Sequence, residues 1–324
     1  MAEQSNREKS TGADVNRRSI LKCMSWAGAG VLWTVTGGVP RTLGLVGKAE
    51  AAEPSKGALN FVQISDSHIG FKQPANPNPA ATLGEAIAKI KAMPVEPAFL
   101  VHTGDITHLS KPEEFDAADQ IIKGVIKPVR YIPGEHDVAD ADNGKLYLKR
   151  YGKGTQGRGW YSFDAGGVHF VALINVFNFN AGFKSAGLAE LGNEQLEWLE
   201  KDLAHRTAST PIVVLAHLPL WTVYADWGWG TSDGPRALGY LKRFGSVTVL
   251  NGHIHQIIQK VEGQVTLHTA ASTAFPQPAP GSAPTPGPMA VPADQLRKYL
   301  GLRDVSFVRG KAGAPALTDS PLTA

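Results

Sequence analysis

Residues 246–250 read Ser-Val-Thr-Val-Leu and run directly into Asn-Gly-His-Ile-His at residues 251–255. The apolar run is typical of a buried β-strand, and Gly252 lets the backbone turn tightly directly after it. Imidazole is a frequent metal ligand, so His253 and His255 are candidate ligands at the end of a strand. Two neighbouring histidines alone are more often structural, and the interpretation therefore depends on whether the rest of the chain supplies further ligands.

The composition is that of an ordinary soluble globular protein. The chain has 324 residues, of which 43% are hydrophobic and 19% are charged, and this length suits one or two domains. Its single cysteine, Cys23, excludes an intramolecular disulfide and a cysteine-rich zinc site. The formal net charge of +3 comes entirely from a basic surplus in residues 1–51. The neutral remainder gives no indication of a nucleic-acid or anionic-membrane partner.

The first 51 residues resemble an export signal rather than part of a fold. Residues 16–22, which include two consecutive arginines, are similar to a twin-arginine (Tat) signal, and the weakly apolar stretch 23–47 is too rich in glycine for a membrane span. Ala-Glu-Ala at residues 49–51 offers a cleavage site. We therefore expect removal of this signal, the twin-arginine export machinery as a partner, a periplasmic or secreted protein, and no stable membrane span in the mature chain. The alternative is a disordered basic N-terminus with a chance arginine pair.

Polar side chains of ligand type follow the other apolar runs that predict strands. The runs at 58–64, 98–102, 129–132 and 211–216 lead into Asp66 and His68, into Asp105, into Glu135-His136-Asp137, and into His217, respectively. Amphipathic patterns between the runs predict helices, as at residues 193–205. Because ligands in open α/β sheets bind at the carboxyl ends of the strands, these side chains are candidates for one site.

In order and context, these blocks and residues 251–255 resemble the calcineurin-like metallophosphoesterase superfamily over residues 58–270. Five ordered motifs are specific where any one would be weak. The resemblance implies an α/β fold, a four-layer α/β/β/α sandwich of two mixed β-sheets flanked by helices. We expect the metallophosphoesterase domain at residues 52–275. Residues 276–324 begin with a proline-rich stretch and are expected to form an extended arm or flexible loop and then a loose C-terminal tail.

The resemblance also implies a role for each polar residue. Asp66, His68 and His255 match the ligands of a first metal ion, Asp105 matches a carboxylate that bridges two ions, and His217 and His253 match ligands of the second ion. His136 matches a histidine that faces the leaving oxygen of the substrate, and Asp137 matches a residue that orients that imidazole or stabilises its charge. Mixed oxygen and nitrogen ligation favours two divalent or trivalent ions of iron, manganese or zinc.

Phosphate ester hydrolysis suits this set of residues. It needs hydroxide at neutral pH, which a water between two cations supplies, and it needs relief of negative charge on the phosphoryl oxygens. A protonated His136 can donate to the leaving alkoxide. The sequence thus predicts a dinuclear metal-dependent phosphoesterase that hydrolyses phosphomonoesters or phosphodiesters, with nucleotide-like substrates among the candidates, by a metal-bridging hydroxide. The alternative is a non-hydrolytic metal-binding module whose tryptophan-rich loop binds a partner.

Two residues beside these motifs leave alternatives open. Members of the superfamily usually carry an asparagine ligand where this chain has Glu135. The glutamate carboxylate either binds the second metal ion as an anion, which favours a harder or more highly charged ion, or swings away and is replaced by water. His108, three residues after Asp105, is a candidate substrate contact. A place behind the ligands, or simple exposure, is favoured over metal ligation for His108.

The segment 218–230 is rich in aromatic residues and follows a predicted ligand directly. We expect Trp221 and Tyr224 to lie in the core. Trp227 and Trp229 alternate with glycine, and we expect both to be partly exposed. There they could stack on a nucleobase or another flat group of a substrate.

Overall fold

Strands and helices alternate along most of the chain. The computed structural model describes residues 34–36, 39–41, 59–124, 128–178, 187–308 and 314–323. The strands are β1 (Thr34–Thr36), β2 (Val39–Arg41), β3 (Leu59–Ile64), β4 (Leu100–His102), β5 (Val129–Tyr131), β6 (Tyr161–Ala165), β7 (Val168–Ala172), β8 (Ile212–Leu215), β9 (Val247–Asn251), β10 (Gln259–Glu262), β11 (Val265–Thr269), β12 (Gly301–Phe307) and β13 (Ala316–Pro321). The helices are α1 (Pro79–Lys91), α2 (Pro112–Ile122), α3 (Lys145–Tyr151), α4 (Asn193–Ala204), α5 (Gly234–Leu241) and α6 (Leu296–Tyr299), with short 3-10 helices at Glu135–Asp137 and Ala225–Trp227. Apart from the antiparallel pair β1–β2, the predicted signal lies outside the described residues.

The strands from β3 onward form two mixed sheets. The first sheet has the order β10-β11-β9-β8-β7-β6, in which β11, β9, β8 and β7 run parallel and the edge strands β10 and β6 pair antiparallel to their neighbours. The second has the order β13-β12-β3-β4-β5, in which β3, β4 and β5 run parallel and β12 and β13 pair antiparallel. The parallel strands of each sheet therefore bring their carboxyl ends to one edge.

Side chains alternate between the two faces of each sheet, so one set packs between the sheets and the other packs against the helices outside. Phe170 and Ala172 of β7 pack with Phe61 of β3 in the cluster between the two sheets. Val171, which lies between them in sequence, packs instead with Leu199 of α4 on the outer face of the first sheet. Apolar residues of α1 and α2 cover the outer face of the second sheet in the same way. The predicted four-layer α/β/β/α sandwich is thereby confirmed.

Helix α1 shows how local sequence and burial agree. Its first turn contains Pro79, and the side chain of the capping residue Asn78 accepts a hydrogen bond of 3.2 Å from the backbone nitrogen of Ala81. The buried face of the helix includes Leu83, Ala86, Ile87 and Ile90, the spacing that the sequence predicts for one apolar face. Within the described ranges, none of the helices combines the length and the apolar character that crossing a membrane requires.

The C-terminal segment is part of the second sheet, which corrects the expectation of an extension beyond residue 275 with a loose tail. Strand β12 lies between β3 and β13, so the sheet is continuous across that boundary. Arg303 of β12 is buried and donates to the carboxylate of Asp319 at 2.9 Å and to the carbonyl of Thr269 at 3.0 Å. The sequence concealed this strand because Arg303 and Asp304 interrupt its apolar pattern.

The proline-rich segment 276–292 forms an arm that is fixed to the strand ends. The side chain of Gln256 donates to the carbonyls of Gln277 and Pro278 at 3.1 and 2.7 Å. The side chain of Gln277 in turn donates to the carbonyl of His253 at 3.2 Å. Of the two alternatives for this segment, the extended arm therefore describes the structure.

Candidate metal centre

The predicted ligands lie at the edge where the parallel strands of both sheets end. Asp66 and His68 follow β3, Asp105 follows β4, Glu135 follows β5, His217 follows β8, and His253 and His255 follow β9. His253 is partly exposed and the other six are buried. The topology thus brings together residues that are distant in sequence, such as Asp66 and His253, which lie 187 positions apart.

Five of these side chains are carried by backbone in the left-handed region, which residues other than glycine rarely adopt. The φ angle is 54° at Asp66, 40° at His68, 53° at Asp105, 68° at His253 and 56° at His255. Such conformations typically cost about 1–3 kcal/mol each and persist only where the surrounding contacts over-determine them. Their concentration at the strand ends is typical of a functional site.

Two glycines allow the loops of the site to approach one another. A Cβ atom on Gly104, where φ is 102°, would overlap the ring of His217. A Cβ atom on Gly134 would overlap the carboxylate of Asp105. Because glycine lacks this atom, the loops after β4, β5 and β8 can meet without a gap.

Asp66, His68 and His255 form what we call the first ligand group. Nε2 of His255 lies 3.4 Å from Oδ1 of Asp66 and 3.2 Å from Nε2 of His68. One ligand atom from each residue lies within 4.8 Å of the other two. This spacing fits three side chains around one cation.

Glu135, His217 and His253 form the second ligand group. Oε2 of Glu135 lies 3.0 Å from Nε2 of His217, and Oε1 lies 3.0 Å from Nδ1 of His253. These ligand atoms also lie within 4.8 Å of one another. Of the two orientations considered for Glu135, the structure has the one in which the carboxylate faces the ligand histidines.

Asp105 lies between the two groups. Its Oδ2 is 3.4 Å from Nε2 of His68 and 3.4 Å from Nε2 of His217, which belong to different groups. Its Oδ1 accepts a hydrogen bond of 3.0 Å from the backbone nitrogen of His136. One carboxylate oxygen is thus shared by both groups, which is the position that a bridging ligand needs.

Backbone carbonyls determine which ring nitrogen faces the centre. Nδ1 of His217 lies 2.6 Å from the carbonyl oxygen of Thr103, and Nδ1 of His255 lies 2.6 Å from that of Phe275. A carbonyl oxygen only accepts hydrogen bonds, so Nδ1 carries a proton and Nε2 is the nitrogen whose lone pair would bind a cation in the centre. Sequence reasoning missed Thr103 and Phe275, because any residue type supplies a carbonyl.

Four buried polar atoms of the centre make no hydrogen bond of good geometry within the described residues, although three of them lie 3.0 Å from another ligand atom. They are Oδ2 of Asp66, Oε2 of Glu135, Nε2 of His217 and Nδ1 of His253. An unsatisfied buried polar atom typically costs about 1–3 kcal/mol. Because the atoms converge and combine carboxylate oxygen with imidazole nitrogen, they fit a cation of the zinc, iron or manganese type. These residues can therefore hold metal.

The three carboxylates of the centre have strongly shifted pKa values. Burial, reinforced by repulsion from Glu135, raises the pKa of Asp105 well above its usual value. Burial also opposes ionisation of Asp66, but attraction to nearby histidines outweighs it and lowers the pKa of Asp66 to about 2. For Glu135, too, burial is outweighed by attraction to the histidines, and its pKa lies well below the usual value. Cations between the groups would favour the ionised form of all three acids.

His136 lies beside the first ligand group. The centroid of its ring is 4.6 Å from that of His68, with the planes at 83°. Its Nδ1 lies 2.7 Å from the carbonyl oxygen of His108. Burial lowers the pKa of His136, and attraction to Glu135 opposes that shift. An anionic substrate beside this ring would favour its protonated form further.

Asp137 has a different place from the one that the sequence predicts. Its Oδ2 accepts from the backbone nitrogens of Gly134 and Ile106 at 3.0 and 3.1 Å, and its Oδ1 accepts from the backbone nitrogen and hydroxyl of Thr107 at 2.8 and 3.0 Å. The carboxylate therefore joins the loops after β4 and β5, whereas Nδ1 of His136 faces a backbone carbonyl. Consecutive residues of a 3-10 turn point in different directions, which sequence proximity does not reveal.

His108 lies behind the first ligand group rather than within either group. Its Nδ1 is 3.4 Å from Nδ1 of His68, the ring nitrogen that faces away from the centre. Its ring stacks on that of His136, with centroids 4.9 Å apart and planes at 17°. Burial, with repulsion from His136, lowers the pKa of His108 to about 4. His108 is partly exposed, and its role, as a substrate contact or behind the ligands, stays a prediction.

The aromatic segment only partly follows its prediction. Trp221 is buried and Trp227 is partly exposed, as expected, whereas Tyr224 is partly exposed and Trp229, at 1% exposure, belongs to the core. The backbone of Trp229 bonds to Val223 and Tyr224 at 2.7 and 3.0 Å, and this tight turn folds its ring inward. The expectation of a partly exposed Trp229 is therefore wrong. The glycines beside it allow a tight turn, and they do not indicate an exposed loop.

The sequence is similar to known phosphoesterases over the part of the chain that carries the candidate metal centre. Residues 59–257, which include every predicted ligand, match the family described as Calcineurin-like phosphoesterase. The chain is 26% identical over 222 residues to a probable glycerophosphodiester phosphodiesterase of Arcobacter nitrofigilis, covering 65% of this chain and 77% of that protein. It is 23% identical over 223 residues to a 3',5'-cyclic-nucleotide phosphodiesterase of Nostoc sp., covering 67% of this chain and 79% of that protein.

A solved structure shares the fold. The purple acid phosphatase PPD1 of yellow lupin (Lupinus luteus) matches 79% of this chain with a TM-score of 0.55 at 15% identity, and this chain spans 50% of its length. At that identity the likeness concerns the fold alone. The family match, by contrast, covers the ligand residues themselves. The chain therefore belongs to the calcineurin-like phosphoesterase family and is a metal-dependent phosphoester hydrolase.

Proposed function

We propose that this chain is a phosphodiesterase with a dinuclear metal centre. The observation that carries the proposal is the pair of ligand groups, each with one carboxylate and two histidines, on either side of Asp105. Two bound cations would supply hydroxide at neutral pH and take up negative charge from the phosphoryl oxygens. The residues around them hold the ligands in place and serve the leaving group.

His136 is the residue proposed to protonate the leaving oxygen. Its Nδ1 lies 2.7 Å from the carbonyl oxygen of His108, which orients the ring, and Nε2 is the nitrogen that would donate a proton to a substrate. The backbone nitrogen of His136 also donates to Asp105 at 3.0 Å, so the ring position is tied to the bridging carboxylate. Burial lowers the pKa of His136, and the negative charge of a bound phosphoester would act in the opposite direction and favour the protonated ring.

The charge around the centre favours a diester over a monoester. A monoester carries up to two negative charges near neutral pH and gains more from an arginine partner than a diester does. The two arginines nearest to the motifs in sequence have other partners: Arg130 stacks on Phe163 at 4.2 Å, and Arg236 donates to Asn193 at 2.8 Å. The two relatives named above on sequence similarity are described as phosphodiesterases, whereas the lupin structure that shares the fold is a purple acid phosphatase.

Parallel assays with bis(4-nitrophenyl) phosphate and 4-nitrophenyl phosphate, with and without Mn²⁺, test this proposal. We expect metal-dependent hydrolysis with kcat/KM at least about 10-fold higher for the diester, a difference of about 1.4 kcal/mol in transition-state stabilisation. A preference for the monoester would contradict the diesterase assignment. Hydrolysis of neither ester at saturating Mn²⁺ would favour the alternative of a non-hydrolytic metal-binding module.

Glu135 is proposed as an anionic ligand of the second metal ion. Its Oε2 lies 3.0 Å from Nε2 of His217, and its Oε1 lies 3.0 Å from Nδ1 of His253, two predicted ligand atoms of the same group. With Glu135 in place of an asparagine, the centre holds three carboxylates rather than two. The additional negative charge should strengthen cation binding. It should also disfavour ionisation of the nucleophilic water.

Profiles of rate against pH for wild type and Glu135→Asn, each at several metal concentrations, test the role of Glu135. We expect the variant to retain the second ion less tightly, and at saturating metal we expect its activity to rise at lower pH than that of the wild type. Both effects follow from the loss of one negative charge. If metal affinity and pH profile are both unchanged, Glu135 is not a ligand.

Export by the twin-arginine route to the periplasm or the medium is a further part of the proposal. Its support is the order of the arginine pair, the apolar stretch and the Ala-Glu-Ala site in residues 1–51. Replacing Arg17 and Arg18 by lysine in the full chain should retain the protein in the cytoplasm, as measured by cell fractionation. Equal export of the variant and the wild type would contradict this part.

A further inference from the structure

We propose that His108 is a positioning residue that fixes the tautomer of His68, so that Nε2 of His68 is presented to the first metal ion. This inference rests on the proposed metal centre. Its basis is the contact between Nδ1 of His108 and Nδ1 of His68, at 3.4 Å. The other ring nitrogen of His68, Nε2, faces Nε2 of His255 at 3.2 Å and Asp105 at 3.4 Å.

The other ligand histidines that bind through Nε2 show what this contact replaces. His217 and His255 each point Nδ1 at a backbone carbonyl, at 2.6 Å in both cases. A ligand histidine almost always donates its second ring N–H to a carboxylate, a carbonyl or a water, and that contact selects the tautomer. In the contacts described here, His68 has an imidazole nitrogen in the place where the other two have a carbonyl.

The positions of the protons follow from this arrangement. A metal ion at Nε2 of His68 requires a lone pair there, so the proton of His68 lies on Nδ1. Nδ1 of His108 must then accept that hydrogen bond, and the proton of His108 lies on Nε2. His108 thus has the opposite tautomer from His217 and His255. A carbonyl can only accept, whereas His108 accepts only in this one tautomer.

Contacts with neighbouring residues fix the orientation of the His108 ring. Its face stacks on His136 at 4.9 Å, and the edge contact with the ring of Phe71 is at 5.2 Å with the planes at 87°. Its backbone nitrogen donates to the carbonyl of Ile69 at 2.9 Å, and its own carbonyl lies 2.7 Å from Nδ1 of His136. His108 therefore contacts both a predicted ligand and the predicted leaving-group residue.

Two substitutions separate the hydrogen bond from the ring packing. His108→Phe keeps a ring against His136 and Phe71 but removes the acceptor for His68. His108→Asn removes the ring, whereas its amide oxygen can occupy the place of Nδ1 and accept the same hydrogen bond. The matched control is the same pair of changes at His205, which is exposed at the end of α4.

Titration of the full chain with Zn²⁺, in competition with a chromophoric chelator, measures the affinity for each of two ions. We expect His108→Phe to weaken one of the two ions by about 10–100-fold, the usual effect of losing a partner behind a ligand. His108→Asn should bind within a few-fold of the wild type, and both His205 variants should equal the wild type. Circular dichroism confirms that each variant is folded.

Two results would overturn the inference. One is a His108→Phe variant that binds both ions as tightly as the wild type, and the other is a His108→Asn variant that is as weak as His108→Phe. Failure of the proposed function has a different signature. A wild-type protein that binds two Zn²⁺ ions but hydrolyses no phosphoester would contradict the function and leave the role of His108 in metal binding intact.

Discussion

The candidate metal centre and a second cluster, around the buried His169, both combine histidine with carboxylates, and they differ in how their polar atoms are paired. In one, which we call the His169 clamp, Nδ1 of His169 lies 3.0 Å from Asp164, and Nε2 lies 2.7 Å from Asp202. Ser162 and Arg206 donate further hydrogen bonds to these two carboxylates. In the candidate metal centre, by contrast, ligand atoms from several loops converge, and four of them make no hydrogen bond of good geometry within the described residues, even where another ligand atom lies 3.0 Å away.

The difference separates a structural histidine from candidate metal ligands. Each unpaired buried polar atom costs about 1–3 kcal/mol, and several ligand-type atoms unpaired at one place indicate that something outside the chain completes them. The clamp needs nothing more, because each ring nitrogen of His169 makes a hydrogen bond with a carboxylate. It joins β6 and β7 to α4, away from the strand ends that carry the ligands. The predictions below test whether the two clusters respond to different perturbations.

The largest effect is expected from Asp105→Asn. One carboxylate oxygen faces both ligand groups, so the substitution should release metal and abolish activity together. We expect a loss of activity greater than the ~10–100-fold that typically follows removal of a partner behind a ligand. Elemental analysis and an ester assay on the same preparation measure both quantities. A variant with normal metal content and full turnover would show that Asp105 is not a bridge.

His136→Ala should leave the metal content unchanged and slow hydrolysis selectively. General acid catalysis is typically worth ~10²–10⁴-fold, and esters with poor leaving groups depend on it most. A series of aryl and alkyl diesters therefore measures the effect, with small losses expected for the most acidic leaving groups. Because an acid must be protonated, the rate for poor leaving groups should also fall as pH rises. A uniform loss across the series would exclude His136 as the acid.

Asp202→Asn should affect stability but not metal content. The buried His169 would lose a carboxylate partner at 2.7 Å, and breaking a buried pair typically costs about 3–5 kcal/mol. Because Asp202 retains some exposure, we expect a loss near the lower end, measured by urea unfolding. Asp164→Asn is the matched control with a smaller effect, since Asp164 is 56% exposed. A metal-depleted Asp202→Asn protein that is otherwise stable would contradict the distinction between the clusters.

The contact between His169 and Asp202 also predicts how the stability of the protein changes with pH. Burial raises the pKa of Asp202, but hydrogen bonds from His169 and Ser162 outweigh burial and lower it. A carboxyl group whose folded pKa lies below its unfolded value of ~3.9 stabilises the protein above that pH and loses this contribution as pH falls through the folded pKa. The wild type should therefore lose stability below about pH 4, and Asp202→Asn should show a shallower loss in the same range.

The strand-exit pattern is local, and for that reason the fold class and the family could be predicted from the sequence. Each predicted ligand follows an apolar run by a few residues, so the sequence also predicts which side chains lie together at the strand ends. The inward turn of Trp229 could not be predicted, because glycine neighbours are equally typical of exposed loops. Strand β12 was missed because its buried Arg303 reads as a surface residue until Asp319 is seen beside it.

The partners behind the ligands were beyond sequence reasoning for a different reason. The carbonyls of Thr103 and Phe275 orient two ligand histidines, yet a carbonyl is common to every residue type. The resemblance predicted that Asp137 orients the imidazole of His136 or stabilises its charge, whereas its carboxylate accepts hydrogen bonds from the backbone nitrogens of Thr107 and Gly134. These features depend on side-chain direction, which sequence spacing does not specify.

Metal stoichiometry of the wild-type protein, purified without added metal and compared with Asp105→Asn by elemental analysis, tests the central claim most directly. We predict two ions of iron, manganese or zinc per wild-type chain and fewer in the variant, because the two ligand groups share Asp105. A wild-type chain that holds no metal and binds none when it is supplied would contradict a metal centre. Two ions retained equally by both proteins would contradict the bridge.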